Sequence, residues 1–122
     1  MKLFDLKIVI ENLRGSYKKF ANSLEEYPIL GVTFPVHYGY IDGYIGEDTH
    51  DLDVFVGSGD VHGMMRVNRD DVVGGVETKF IIYVTENEYQ AIEEIYRPVI
   101  REMKKMVEED IIALLPQFTA KK

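Results

Sequence analysis

Apolar and polar positions in the first two thirds of the chain follow a short-range pattern that is typical of strands. The apolar runs are brief, rich in β-branched and aromatic residues, and separated by glycine, proline or asparagine. Pro28 and Gly31 punctuate residues 25–34 and Pro35 follows them, which predicts irregular or edge structure there. The pattern predicts strands at residues 6–11, 17–20, 38–45, 52–56, 62–67 and 76–84, the third of them bent.

The pattern changes to a helical period at Thr85. Thr85 and Glu88 fit a capping box, in which each side chain binds the backbone N–H of the other residue. Apolar residues then recur at helical spacing up to Pro98, which lacks the amide hydrogen that a helix interior needs. A further amphipathic stretch over residues 99–114 predicts that helical structure continues to Pro116. Strands first and helices last favour a mainly β, α+β fold with an antiparallel core and C-terminal helices.

Composition and charge narrow the class of protein. The 122 residues suit one domain, residues 1–122, and are 46% hydrophobic and 29% charged. With no cysteine, no apolar run long enough to span a bilayer and no signal-peptide pattern, we expect a cytoplasmic protein without a membrane partner. The net charge of −7 argues against nucleic acid as a partner, because a phosphate backbone is bound by a basic face.

The densest group of chemically active side chains ends the segment TFPVHYGYIDGYIGEDTHDLD, residues 33–53. Its last six residues contain Asp48, Asp51 and Asp53 and lead into an apolar run. Carboxylates this close repel each other unless a cation lies among them, and oxygen ligands of this kind suit hard divalent cations such as Mg²⁺. A plain acidic turn before a strand explains the same residues without a metal, since short motifs give frequent false positives.

Three blocks of the chain resemble the soluble inorganic pyrophosphatases of the magnesium-dependent, β-barrel type. IVIENLRGSYKKF (residues 8–20) is similar to the N-terminal VIEIPKGSRNKYE segment of that family, and FPVHYGYI (34–41) to its YPxNYGxI segment. DTHDLDV (48–54) is similar to its DGDPLDV signature. Because the blocks occur in the family's order over about the first half of the chain, together they are more specific than any one alone.

The resemblance implies a distorted five-stranded, OB-like barrel with helices, assembly into a homo-oligomer, and Mg²⁺-dependent hydrolysis of pyrophosphate to two phosphates. In such a site carboxylates bind the metal, while basic and tyrosine side chains hold the phosphates. The positions that match imply metal ligands at Asp48, Asp53, Asp71 (or Asp70) and Glu77, substrate-binding residues at Glu11, Lys19, Lys79, Tyr96 and Arg97, and a catalytic tyrosine at Tyr38.

The chain departs from the family's pattern at the centre of the signature. His50 stands where the family has its middle aspartate, and Asp51 replaces the proline that follows. Histidine can act as a base near neutral pH, so we expect His50 or Asp51 to orient the nucleophilic water. Ala21 replaces a site glutamate, and the segment up to Pro35 lacks a match for the family's phosphate-binding arginine. Two alternatives therefore stay open: a non-catalytic member of the family, and a hydrolase of another small diphosphate.

Overall fold

Strands predominate in the computed structural model, which describes residues 1–19, 31–69 and 75–119. The helices are α1 (Glu86–Tyr96) and α2 (Glu108–Leu114), with short 3₁₀ turns at Leu3–Asp5 and Leu115–Phe118. None of the helices in these ranges is long and apolar enough to cross a membrane. The strands are β1 (Ile8–Asn12), β2 (Tyr17–Lys19), β3 (Gly31–Thr33), β4 (His37–Ile45), β5 (Asp51–Val56), β6 (Val61–Asn68), β7 (Val76–Val84) and β8 (Ile100–Lys105).

Six of the strands form one mixed sheet in the order β1-β4-β5-β7-β6-β8, and β2 pairs with β3 in a second sheet. The pair β5–β7 is parallel, whereas the other described pairs are antiparallel. The mainly β, α+β class with C-terminal helices is confirmed. The sheet differs from the expected five-stranded barrel: among the described strands it has six members and is open. Strand β7 lies between β5 and β6, antiparallel to β6 and parallel to β5.

The inner strands of the large sheet are buried on both faces. Phe55 and Ile81 face one core, whereas their neighbours Val54 and Phe80 face the other. Helix α1 covers the first core, and α2 with the two 3₁₀ turns covers the second. Burial on both faces explains why the second half of β5 (residues 54–56) and of β7 (residues 80–84) are continuous apolar runs.

The start of helix α1 is confirmed in atomic detail. Glu88 N donates to Thr85 Oγ1 over 3.1 Å, and Thr85 N donates to Glu88 Oε1 over 2.8 Å, which is the predicted capping box. The helix ends at Tyr96, two residues before Pro98.

The prediction of continuous helical structure from residue 99 to 114 is wrong, because Ile100–Lys105 forms the edge strand β8. Ile100 pairs with Val67 and Glu102 with Arg66, so Arg101 is an extra residue in a β-bulge. The bulge places Ile100 and Met103 against the same core although they are three residues apart. Apolar residues three positions apart normally indicate a helix, but here a bulged strand produces the same spacing.

Two other predictions fall partly outside the described ranges. Phe20, the predicted end of the second strand, and residues 25–30 of the segment expected to be irregular are among the residues that are not described. The last part of that segment, Gly31–Thr33, pairs with Tyr17–Lys19 as edge structure.

Candidate active site

A buried lysine, Lys79 on β7, is the centre of the main polar cluster among the described residues. Only 6% of Lys79 is exposed to solvent. Its Nζ donates to Tyr38 Oη over 2.6 Å and to Asp53 Oδ2 over 2.8 Å, and it lies 3.2 Å from Glu77 Oε1. A buried charge is tolerated only when it is paired and hydrogen-bonded, and Lys79 meets both conditions.

Strand register brings these four side chains together. Asp53 and Lys79 are direct partners in the parallel β5–β7 ladder. Glu77 and Lys79 are two residues apart on β7 and therefore share a face of the sheet. Tyr38 comes from β4, the strand on the other side of β5, and packs in the core beneath helix α1. Residues that are far apart in the chain thus converge because three neighbouring strands hold a fixed alignment.

Electrostatics fix the charge of Lys79 and of its tyrosine partner. Burial lowers the pKa of Lys79, but Tyr38, Asp53 and Glu77 outweigh it and raise that pKa well above its ordinary value. Burial, the larger effect at Tyr38, raises the pKa of the phenol well above its usual range. Near neutral pH, Lys79 is therefore an ammonium and Tyr38 an uncharged phenol.

The two carboxyl groups beside Lys79 are shifted in opposite directions. Burial works against the charge of Asp53, but Lys79 more than offsets it through its charge and hydrogen bond, so the pKa of Asp53 is lowered. Burial and the charge of Asp53 raise the pKa of Glu77 in spite of Lys79 and Arg69. Arg69 Nη1 donates to Glu77 Oε1 over 2.8 Å. Sequence reasoning did not assign Arg69 a role, although it directly precedes the candidate ligands Asp70 and Asp71 in the chain.

Asp48 and His50 lie in a tight turn before β5, residues 46–50, which we call the acidic loop. Gly46 N donates to His50 O over 2.8 Å, and His50 N donates to Asp48 Oδ1 over 3.0 Å. Thr49 has a φ of 64°, a left-handed conformation that is unfavourable for a β-branched residue. Asp48 is close enough to Glu77 to contribute to its raised pKa. The loop therefore lies at the edge of the Lys79 cluster, with the side chain of His50 exposed.

One contact between the acidic loop and β7 was not anticipated from the sequence. The Glu47 carboxylate accepts hydrogen bonds from both Thr78 N, over 2.9 Å, and Thr78 Oγ1, over 2.6 Å. The sequence indicates this contact only weakly: an acid directly precedes Asp48, and a hydroxyl residue lies between Glu77 and Lys79. No spacing rule relates two residues so far apart in the chain.

The two predicted residues at the end of helix α1 have different environments. Tyr96 is buried, packs edge-on against Phe55 with ring centroids 5.9 Å apart, and contributes to the raised pKa of Lys79. Arg97 is exposed and its Nη2 donates to Glu94 Oε2 over 2.8 Å. The fold thus brings Tyr96, but not Arg97, to the Lys79 cluster.

The remaining predicted site residues that the structure describes are exposed and do not belong to the buried Lys79 cluster. Glu11 is exposed on edge strand β1, Lys19 is exposed on the small sheet, and Asp51 is exposed at the start of β5. In the described part of the chain, no hydrogen bond or ion pair joins any of the three to Lys79. Asp71, its alternative Asp70 and the substituted position Ala21 lie outside the described residues.

The donor chemistry of the cluster is suited to a hard divalent cation. Asp53 and Glu77 both offer carboxylate oxygens beside Lys79, and oxygen ligands of this kind suit such a cation. Among the described residues no three such side chains converge, so these two would need a further ligand. Asp48, which already acts on Glu77, and Asp71 are the predicted candidates.

The fold and the cluster together define a β-rich domain with a buried charged cluster on the inner strands of its sheet. The family model described as Inorganic Pyrophosphatase matches residues 1–118. The chain therefore belongs to the inorganic pyrophosphatase family. No curated protein matches the sequence.

Proposed function

We propose that the protein hydrolyses inorganic pyrophosphate to two phosphates in a Mg²⁺-dependent reaction. One observation carries this proposal: an acid pair, Asp53 and Glu77, shares a buried Lys79 whose ammonium is held by Tyr38. Carboxylates for a cation beside a fixed ammonium for a phosphate oxygen are the groups that phosphoryl transfer needs. Family membership supports the same reaction class.

Each residue in the cluster has a role that follows from its charge. Asp53 and Glu77, with Asp48 and Asp71, would hold Mg²⁺, which when bound would neutralise the phosphate oxygens. Lys79 and the Tyr38 hydroxyl would bind phosphate, with Tyr96 supporting them from helix α1. The exposed His50, or its neighbour Asp51, would orient the water that adds as the P–O–P bond breaks. Glu11, Lys19 and Arg97 stay predictions for substrate binding, and all three are exposed.

A second candidate function is binding without hydrolysis. Lys79 and Arg69 already contact the carboxylates that a metal would use, with Arg69 Nη1 2.8 Å from Glu77 Oε1. Because these two side chains already neutralise the carboxylates, Asp53 and Glu77 need Mg²⁺ less for charge balance. In addition, His50 stands where the family has its central aspartate. A protein of this kind would bind an anion or metal and release no phosphate. Hydrolysis of another small diphosphate is the remaining alternative.

The setting of this function is also a proposal. We expect a cytoplasmic homo-oligomer whose partner is a small diphosphate and which binds neither nucleic acid nor membrane. The net charge of −7 supports the absence of nucleic acid binding.

A phosphate-release assay tests the proposal. Pyrophosphate and nucleotide substrates are compared with Mg²⁺, with Mn²⁺ and without metal, for the wild type, for Asp53→Asn and for the matched control Asp42→Asn. Asp42 is an exposed aspartate on β4. We expect Mg²⁺-dependent release from pyrophosphate that is lost in Asp53→Asn and kept in Asp42→Asn.

Calorimetry separates the two candidate functions. The wild type is titrated with Mg²⁺ and with a non-hydrolysable pyrophosphate analogue. Binding accompanied by phosphate release supports hydrolysis, whereas binding without release supports the second candidate. Equal release by the wild type and Asp53→Asn would exclude the site described above.

A further inference from the structure

We propose that Glu47 is a positioning residue that fastens the acidic loop to β7 through Thr78, and so sets Asp48 and His50 at the correct place beside Glu77 and Lys79. The catalytic consequence rests on the proposed function, whereas the fastening itself does not. We call the pair of hydrogen bonds from Thr78 to Glu47 the loop clasp.

The geometry of the clasp is that of a strong, two-point contact. Both hydrogen bonds to the Glu47 carboxylate are short, 2.9 Å from Thr78 N and 2.6 Å from Thr78 Oγ1. Hydrogen bonds to an ionised carboxylate are stronger than neutral ones, and two of them fix orientation as well as distance. Thr78 is only 3% exposed, so water cannot readily replace Glu47 as the acceptor.

The clasp lies where the acidic loop meets the site residues of β7. Thr78 lies between Glu77 and Lys79 on β7, and Glu47 directly precedes Asp48. The parallel β5–β7 ladder begins at the pair Asp53–Lys79, so Thr78 lies just before it. Glu47 therefore contacts β7 just before the β5–β7 ladder begins, and joins the loop to the strand that carries Glu77 and Lys79.

Both ends of the loop are joined to the sheet by the pair Ile45–Asp51, which belongs to the β4–β5 ladder. The loop's remaining described hydrogen bonds are internal: Gly46 N to His50 O, Thr49 N to Gly46 O, and His50 N to Asp48 Oδ1. Within the described ranges, the clasp supplies the hydrogen bonds that run from residues 46–50 to β7. Internal bonds give the loop its shape and the Ile45–Asp51 pair holds its ends, whereas the clasp ties its middle to the strand that carries Lys79.

The test compares four variants with the wild type. Thr78→Val removes the hydroxyl but keeps the shape and the β-branched character of the side chain, whereas Thr78→Ser keeps the hydroxyl. Glu47→Gln keeps the shape and removes the charge, and Glu102→Gln is a matched control at an exposed position on β8. Amide hydrogen exchange of the metal-free protein reports loop position, and phosphate release with Mg²⁺ reports function.

We expect roughly tenfold faster exchange at residues 46–50 in Thr78→Val and Glu47→Gln, the loss that one charged hydrogen bond predicts. Exchange at the β5–β7 ladder should stay unchanged, and Thr78→Ser and Glu102→Gln should match the wild type within about twofold. The phosphate-release rate of an active wild type should fall roughly tenfold in the first two variants. Should Thr78→Val fail to fold, Glu47→Gln decides the exchange result alone.

Two results would overturn the inference. One is unchanged exchange at residues 46–50 in both clasp variants, and the other is Thr78→Ser behaving like Thr78→Val. If the wild type releases no phosphate, the proposed function fails, but the exchange comparison still decides whether the clasp positions the loop.

Discussion

The two halves of the candidate site are built in different ways. The Lys79 cluster lies on neighbouring strands, is buried, and is held by register and by mutual charge compensation. The acidic loop is half-buried at residues 46–48 and exposed at 49–50, is shaped by its own backbone, and reaches β7 through the Glu47–Thr78 contact. Both halves carry carboxylates, but only those of the cluster depend on a buried cation.

This difference predicts how substitutions in each half affect stability and function. A substitution in the cluster leaves a buried charge without its partner, so it should reduce stability and function together. A substitution in the loop alters side chains that water can reach, so it should affect function while the fold persists.

The largest effect is expected from Lys79→Met, which removes the ammonium shared by Asp53 and Glu77. Leaving one side of a buried ion pair uncompensated costs about 3–5 kcal/mol, so we expect a fall of that size in the free energy of unfolding. Denaturant unfolding measures it, with Lys104→Met as the control because that side chain is 52% exposed. A similar small loss in both variants would show that Lys79 is not the centre of the cluster.

A comparison of the two aspartates comes next in size. Asp53→Asn removes the charge that Lys79 contacts and should cost about 1–3 kcal/mol, whereas Asp48→Asn should cost no more than about 0.5 kcal/mol. Both variants should lose phosphate release if both residues are metal ligands. Thermal unfolding and the phosphate assay, run on the same samples, separate stability from function. Equal destabilisation by the two variants would remove the distinction between cluster and loop.

The strained backbone of the loop gives an effect of opposite sign. Thr49 has a φ of 64°, where asparagine is tolerated far better than a β-branched residue. Thr49→Asn should therefore raise the free energy of unfolding by about 0.5–1 kcal/mol. Denaturant unfolding measures the gain, and a loss of stability would mean that the Thr49 side chain makes contacts that outweigh the strain.

The smallest effect is expected at the end of helix α1. Arg97→Ala removes an exposed ion pair with Glu94 and should change stability by no more than about 0.5 kcal/mol. Tyr96→Phe, which removes a hydroxyl near Lys79, should reduce phosphate release more than Arg97→Ala does. The reverse order in the phosphate assay would support the original prediction that Arg97 binds substrate.

Much of the architecture could be predicted because it depends on local rules. The capping box at Thr85 and Glu88 needs only residues three apart, and the apolar runs of β5 and β7 reflect burial on both faces of the sheet. Edge strand β8 was missed because its bulge at Arg101 gives Ile100 and Met103 a helix-like spacing. A bulge is defined by the partner strand, and the sequence of β8 alone does not contain that partner.

The sequence by itself determined the family and predicted the acidic segment and the candidate acid, lysine and tyrosine residues of the site, because these follow from the order and spacing of residue types. Only the tertiary structure decided which of them meet. Strand register joined Tyr38, Asp53, Glu77 and Lys79, whereas Arg97 stayed exposed to solvent. The fold also added the contact between Glu47 and Thr78, which links the acidic loop to β7. The physical reason is that register and burial are properties of paired strands, and a pairing between residues thirty-one positions apart has no local signal.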